Sequence, residues 1–321
     1  MGSLDSLESL DRKVSLPPGS WDIHVHVFDS SLGQFSPSRA YTPAQAKLTE
    51  LVNFVSGLGQ DRRPANIVLV QPSPYHVDNT VVLASLKHLR DTKCCTARGI
   101  AVVDLDKITD EELWHMHVLG IRGLRLNMKA DGKSVDGEGL RKMIQDAASR
   151  IRYLPEWKLQ LFCSASMWDE IYDTILNLPV QVIADHMGGL LGSSKLQING
   201  TGNLDPRLQE GYESLVRLAE QSKVFIKISG LYRLSTQTES GHSDLEPLIR
   251  DLAARVPDSL IWASDWPHTG EGVDRLDKNL GRVEKFRHVD NRLLLANVRK
   301  WVGTEETWNR MMIHTPNRVY L

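Results

Sequence analysis

Eight short apolar runs recur along the chain, each bounded by polar or turn-forming residues: DIHVHVF (22–28), ANIVLVQ (65–71), RGIAVVD (98–104), GIRGLRLN (120–127), KLQLFCS (158–164), PVQVIADH (179–186), KVFIKISG (223–230) and SLIWASDW (259–266). Between them lie stretches with apolar residues at helical spacing, such as AQAKLTELVNFVSGLG, NTVVLASLKHLRD, ITDEELWHMHVLG and LDPRLQEGYESLVRLAEQS. Strand-like runs that alternate with amphipathic helices predict parallel strands covered by helices. Eight such units predict a single (β/α)8 TIM barrel over residues 20–321. A doubly wound open sheet is the alternative, and the GxGxxG fingerprint it usually carries after its first strand is absent. Residues 1–19, rich in Ser, Asp and Leu and closed by Pro17-Pro18-Gly19, read as a flexible N-terminal arm. The Gly/Ser/Asn-rich span 188–206 is too long for a tight turn and reads as a loop over one barrel face. The closing segment is helical in pattern until Pro316 and is expected to pack on the barrel exterior.

Composition narrows the function classes. With 321 residues and 41% hydrophobic content, the chain is long enough for one large core. Thirty-eight basic residues against 40 acidic ones leave a formal charge of −2, so no field draws in nucleic acid or an anionic membrane. No apolar run nears the roughly 20 residues that span a bilayer, and no signal-peptide pattern opens the chain. A cytoplasmic protein is the expectation. Three cysteines, two of them adjacent, cannot build a disulfide framework. Composition leaves the oligomeric state open.

In a barrel of this type, chemistry gathers at the C-terminal ends of the strands. There the chain places His24 and His26 on strand one, Gln71 and His76 after strand two, and Arg125 on strand four. Asp185 and His186 end strand six, Tyr232 and Arg233 follow strand seven, and Asp265, Trp266 and His268 end strand eight. Alternation along strand one turns both of its imidazoles to one face. Each residue has a structural reading, but a core built for stability alone would fill such places with aliphatics.

DIHVHVF, IADHMGG, KISGLYRLS and IWASDWPHT, in that order, resemble the amidohydrolase-related barrel enzymes, in the branch similar to 2-pyrone-4,6-dicarboxylate lactonase. Supporting segments are RAYTP, HVDNT, GIAVVD, GLRLN and TPNRVYL. The resemblance implies a distorted barrel that hydrolyses a cyclic ester, an acidic pyrone-like small molecule. It implies Asp265 as the base for water and His24, His26 and His186 around the scissile carbonyl. Arg125, Arg233, Tyr41 and His76 would hold the substrate, with Gln71 and His268 as further binding candidates. The dicarboxylate lactonases add a basic residue after the strand-four Arg and a Tyr on strand five; here Lys129 and Phe162 stand in those regions.

The superfamily runs two chemistries from the same first-strand motif. In its metal-dependent members a strand-four or strand-five ligand completes the site; here KLQLFCS offers Phe162 and Cys163, and strand four offers the permanent cation Arg125. No metal cofactor is therefore expected. The alternative is one divalent ion, zinc or manganese, on His24, His26, His186 and Asp265, in a metal-dependent hydrolase or a nonoxidative decarboxylase of an aromatic acid. A non-catalytic binding barrel is the third reading, opposed by the intact set of three histidines and Asp265.

Overall fold

A computed structural model describes residues 14–128, 136–198, 200, 205–270 and 279–321. Lys129 and parts of the N-terminal arm and of the 188–206 span lie outside the described residues.

All eight apolar runs form strands of one parallel sheet, ordered as in the chain: β1 (Trp21–Val25), β2 (Asn66–Val70), β3 (Ala97–Ala101), β4 (Ile121–Asn127), β5 (Lys158–Phe162), β6 (Val182–Ala184), β7 (Val224–Ile228) and β8 (Leu260–Trp262). Alternation sorts their side chains. Ile67 and Leu69 of β2 and Val224, Ile226 and Ile228 of β7 face the helices, in the outer core. Val68, Val70, Ile183, Phe225 and Ile261 form a smaller cluster inside the barrel. The covering helices bury one stripe each, as amphipathic spacing demands. Leu48–Leu58 buries Leu51, Val55 and Leu58, and Gly137–Ile151 buries Leu140, Ile144, Ala147, Ala148 and Ile151. Local chemistry sets the ends: Thr109 and Glu112 form a capping box at the start of Asp110–Leu119, and Gly120, at φ 109°, stops it.

The barrel closes between β8 and β1 through residues just beyond the ladder. The Asp265 amide donates to the His24 carbonyl (3.1 Å), and the His26 amide donates to the Trp266 carbonyl (2.9 Å). Lower on the seam, a side chain completes the closure: the Ser264 amide donates to Asp22 Oδ1 at 3.0 Å. Burial pushes the Asp22 carboxyl up to about 7, against the opposing effect of its Ser264 hydrogen bonds.

Three expectations need correction. Leu16 lies within the span read as a flexible arm, yet it is buried, and its backbone pairs with Leu58 and Gln60 because its side chain joins the outer core. The 188–206 span is not all loop, since Ser193–Ile198 is helical. Helix also continues past Pro316, because a π turn over Arg310–His314 runs directly into Thr315–Tyr320. Instead of lying on the barrel exterior, that helix plugs the bottom of the barrel: Tyr320 stacks on Trp21 at 5.7 Å, and the Trp21 indole donates to Asn317 at 2.7 Å.

Candidate active site

The side chains at the strand ends converge on the barrel axis. A register irregularity between Asp22 and Val25 modifies the simple alternation expected of strand one. Ile23 joins the inner cluster and Val25 the outer one, while His24 and His26 still meet, their Nε2 atoms 3.2 Å apart. The His24 ring centroid lies 4.9 Å from that of His186, whose Nδ1 is 3.0 Å from Ser229 Oγ. Phe162, in the place where a tyrosine would bring a hydroxyl, sets its ring edge-on to His186 at 4.7 Å.

Asp265 has two different oxygens. Oδ2 accepts from the Tyr232 hydroxyl (2.7 Å) and from Arg233 Nε (2.8 Å). Oδ1 is buried without a hydrogen-bond partner and stands 3.7 Å from His24 Nε2 and 3.9 Å from His26 Nε2. Burial raises this carboxyl, and the neighbouring groups, of which the Arg233 guanidinium is the largest, together hold it well below the usual carboxylate range. Arg233 is itself anchored, with Nη2 donating to Thr269 Oγ1 (2.8 Å) and Nη1 to the Gly270 carbonyl (3.3 Å).

Beneath this layer is an ion cluster that the sequence reading leaves out. Asp185, with 0% exposure, faces Lys227 Nζ at 2.8 Å, Arg125 Nε at 3.4 Å and His24 Nδ1 at 3.3 Å, and it accepts from Gln160 Nε2 at 2.9 Å. Burial would raise its carboxyl, but the Lys227 ammonium, with Arg125 beside it, holds it well below the usual range. Lys227 is also fully buried, 3.1 Å from His24 Nδ1.

The remaining candidates lie around the site, with His268 and Tyr41 against its Tyr232–Arg233 side. Gln71 Nε2 donates to the carbonyls of His76 (3.1 Å) and Asp78 (2.7 Å), so it braces the loop after β2. His76 is half-buried at a positive φ of 49°. His268 packs edge-on to Tyr232 at 5.5 Å, with Nε2 3.0 Å from Asn291. Tyr41 is buried close enough to Arg233 to act on its charge. Trp266 stacks on Phe54 at 5.9 Å. A cavity of about 730 Å³ opens at the opposite, N-terminal end of the barrel, and none of these residues lines it.

The chain belongs to the amidohydrolase family. The family model described as Amidohydrolase matches residues 21–320. A 4-sulfomuconolactone hydrolase of Hydrogenophaga intermedia is 26% identical over 95% of this chain and 89% of its own. A 2-pyrone-4,6-dicarboxylate hydrolase of Comamonas testosteroni is 28% identical over 95% of this chain and 91% of its own. Among solved structures, an Agrobacterium tumefaciens protein in its apo form superposes with a TM-score of 0.72 at 17% identity, covering 95% of this chain and 97% of the other. That likeness carries the fold, an amidohydrolase-like TIM barrel.

Burial keeps the imidazoles of this cluster neutral. Burial pushes His26 down to about 3 and His186 and His268 down to about 4, and it lowers His24 well below its ordinary value. Between pH 6.5 and those values the unfolded chain binds protons that the fold refuses, so stability falls as pH falls through that window, by about 1.4 kcal/mol per pH unit per group. Asp22, raised to about 7, has the opposite sign and offsets one such group. Urea midpoints measured from pH 7 to pH 4.5 are expected to fall steadily, and His268→Gln is expected to flatten the slope by about one proton. A stability that is flat across this window would refute the neutral cluster.

Proposed function

We propose that this chain is a lactonase that opens a cyclic ester bearing an acid group, without a metal ion. The carrying observation is Asp265: one oxygen is clamped by Tyr232 and Arg233, and the other, without a hydrogen-bond partner among the described residues, faces His24 of β1 and His26 just beyond it. Support comes from two relatives whose names both describe hydrolysis of an acidic cyclic ester.

In this reading Asp265 Oδ1 takes a proton from water, and the water oxygen adds to the lactone carbonyl. His26 accepts rather than donates at this step, because its Nδ1–H donates to the Val70 carbonyl (2.7 Å) and leaves only the Nε2 lone pair to orient water. Stabilising the oxyanion falls to N–H donors on His24 and His186 and to the positive field of Arg125, a preorganised term that needs no rearrangement. Collapse breaks the ring C–O bond, and the proton held by Asp265 passes to the leaving oxygen. A carboxylate held so low is a weak base, which suits an enol ester, whose leaving group is good.

Charge recognition follows from the count of ionised groups. Lys227, Arg125 and Arg233 against Asp185 and Asp265 leave an excess of one positive charge among neutral imidazoles. Such a site favours an anionic substrate. Arg125→Lys keeps the charge but loses the planar fork, and is expected to raise KM for an acidic lactone by about tenfold with a smaller change in kcat. A panel of acidic and neutral lactones tests the class, and faster turnover of the neutral members would overturn it.

The same residues bear on a metal. His24 Nε2, His26 Nε2 and Asp265 Oδ1 lie within 4.8 Å of one another, a spacing that suits three ligands of a divalent ion and supports the competing metallohydrolase or decarboxylase reading. Charge opposes it: a +2 ion would join a site already positive, with guanidinium and ammonium groups nearby. The donor set fits in spacing and not in electrostatics. Purified enzyme is expected to keep its activity after exhaustive chelation. Activity lost to a chelator and restored by zinc or manganese would move the chain to the metal-dependent branch.

A further inference from the structure

Lys227 Nζ lies 2.8 Å from Asp185 Oδ1 and 3.1 Å from His24 Nδ1, with all three side chains at 0% exposure. An ammonium ion has donors and no acceptor. Nδ1 of His24 is therefore the acceptor, and the proton of this neutral imidazole sits on Nε2. His26 is set the other way, since the Val70 carbonyl can only accept and so fixes the His26 proton on Nδ1. Across the 3.2 Å between the two Nε2 atoms, a donor meets an acceptor. The result is one directed chain of hydrogen bonds from Lys227 through His24 and His26 to Val70.

We infer, building on the metal-free reading above, that Lys227 is a positioning residue that closes the site to divalent ions by keeping the Nε2 of His24 protonated. A metal ligand needs a lone pair, and the only route to one at His24 Nε2 is to move its proton to Nδ1, against the ammonium. Asp185 makes the role of Lys227 specific. Its Oδ1 is 3.3 Å from His24 Nδ1, within reach of an Nδ1–H once the ammonium is gone. That carboxylate–imidazole pair is the arrangement that orients a histidine toward a metal. The spacing of a three-ligand site is thus present, and one lysine holds it in the wrong tautomer. The mechanism gains from the same constraint, because the proton fixed on His24 Nε2, shared with His26 Nε2 in the resting site, is free to turn to the oxyanion once water occupies that lone pair.

The test compares the full-length protein with Lys227→Met, which removes the ammonium at similar volume and leaves Asp185 paired with Arg125 and Gln160. Each is stripped with chelator, incubated with zinc sulfate, dialysed and analysed for metal, with calorimetric titration of zinc alongside. The unmodified protein is expected to retain well under one equivalent, and Lys227→Met to take up about one, with an affinity gain of at least ~10–100-fold. Adding His26→Asn to the lysine variant is expected to abolish that gain. If both proteins stay empty, the inference about Lys227 fails while the metal-free reading stands. If the unmodified protein binds zinc stoichiometrically, both fall. Should Lys227→Met not fold, histidine-ring 15N–1H correlation spectra of the unmodified protein decide the matter: His24 is expected as the Nε2–H tautomer, and an Nδ1–H signal there overturns the proposal.

Discussion

Asp265→Asn is expected to cut turnover by ~10²–10⁴-fold, the range for removing a general base, with binding of an acidic product or inhibitor nearly unchanged. The two carboxylate oxygens divide the labour. Tyr232 and Arg233 donate to Oδ2, and an asparagine carbonyl at that position still accepts from both, so the loop after β8 stays anchored. At Oδ1 the change is total, since an amide nitrogen in that place has no lone pair for a water proton. The KM-against-kcat split separates this from a structural defect, which would weaken binding as well. The pH profile gives an independent reading. Because Arg233 holds Asp265 well below the usual carboxylate range and burial keeps the imidazoles neutral, kcat/KM is expected to show no inflection near pH 6.5 and to fall only under more acid conditions. A variant with near-normal turnover, or an acid limb at the ordinary histidine value, would remove Asp265 from the role of base.

The eight strands are legible because a parallel barrel strand is buried on both faces and is therefore predominantly apolar. The reading overruns their C-terminal ends: PVQVIADH is a ladder only over Val182–Ala184, and SLIWASDW only over Leu260–Trp262. Among the residues that leave the ladder are those proposed to carry the chemistry. His186 and Asp265 take positive φ values of 50° and 63°, a strained backbone that aims their side chains and that no hydrophobic pattern records. His24, His26, His186, Asp265, Arg125 and Arg233 are legible as polar groups at strand ends, and all six come together. Lys227 is not, because a lysine within KVFIKISG, which also opens on Lys223, looks like a solvated residue. The usable signal is position, since Lys227 alternates with outward-facing Ile226 and Ile228 and so points into a barrel with no solvent side. Asp185 is passed over for a related reason: beside a histidine it reads as the end of a strand, whereas Gln160, Arg125 and Lys227, far apart in sequence, make it the counter-ion of the barrel centre.

That counter-ion carries the largest expected effect on stability. Asp185→Ala strands an ammonium and a guanidinium in the interior: among the described residues Lys227 keeps only His24 Nδ1 as a partner, and the Arg125 Nε, already without a hydrogen bond there, loses the carboxylate 3.4 Å away. Breaking a buried ion pair from one side costs about 3–5 kcal/mol, a large share of the roughly 5–15 kcal/mol that holds a typical protein folded. A correspondingly large fall in the urea midpoint is expected. Lys227→Met alone is expected to cost far less, because Asp185 retains Arg125 and Gln160 and gains a donor if His24 turns its proton to Nδ1. The double variant separates pairing from packing. If the loss in Asp185→Ala comes from an uncompensated buried charge, removing Lys227 as well relieves part of it, and the two changes together are expected to cost about 1–3 kcal/mol less than their sum. Strict additivity would mean that Asp185 acts through the space it fills, and that the charge balance beneath the site does not govern the fold.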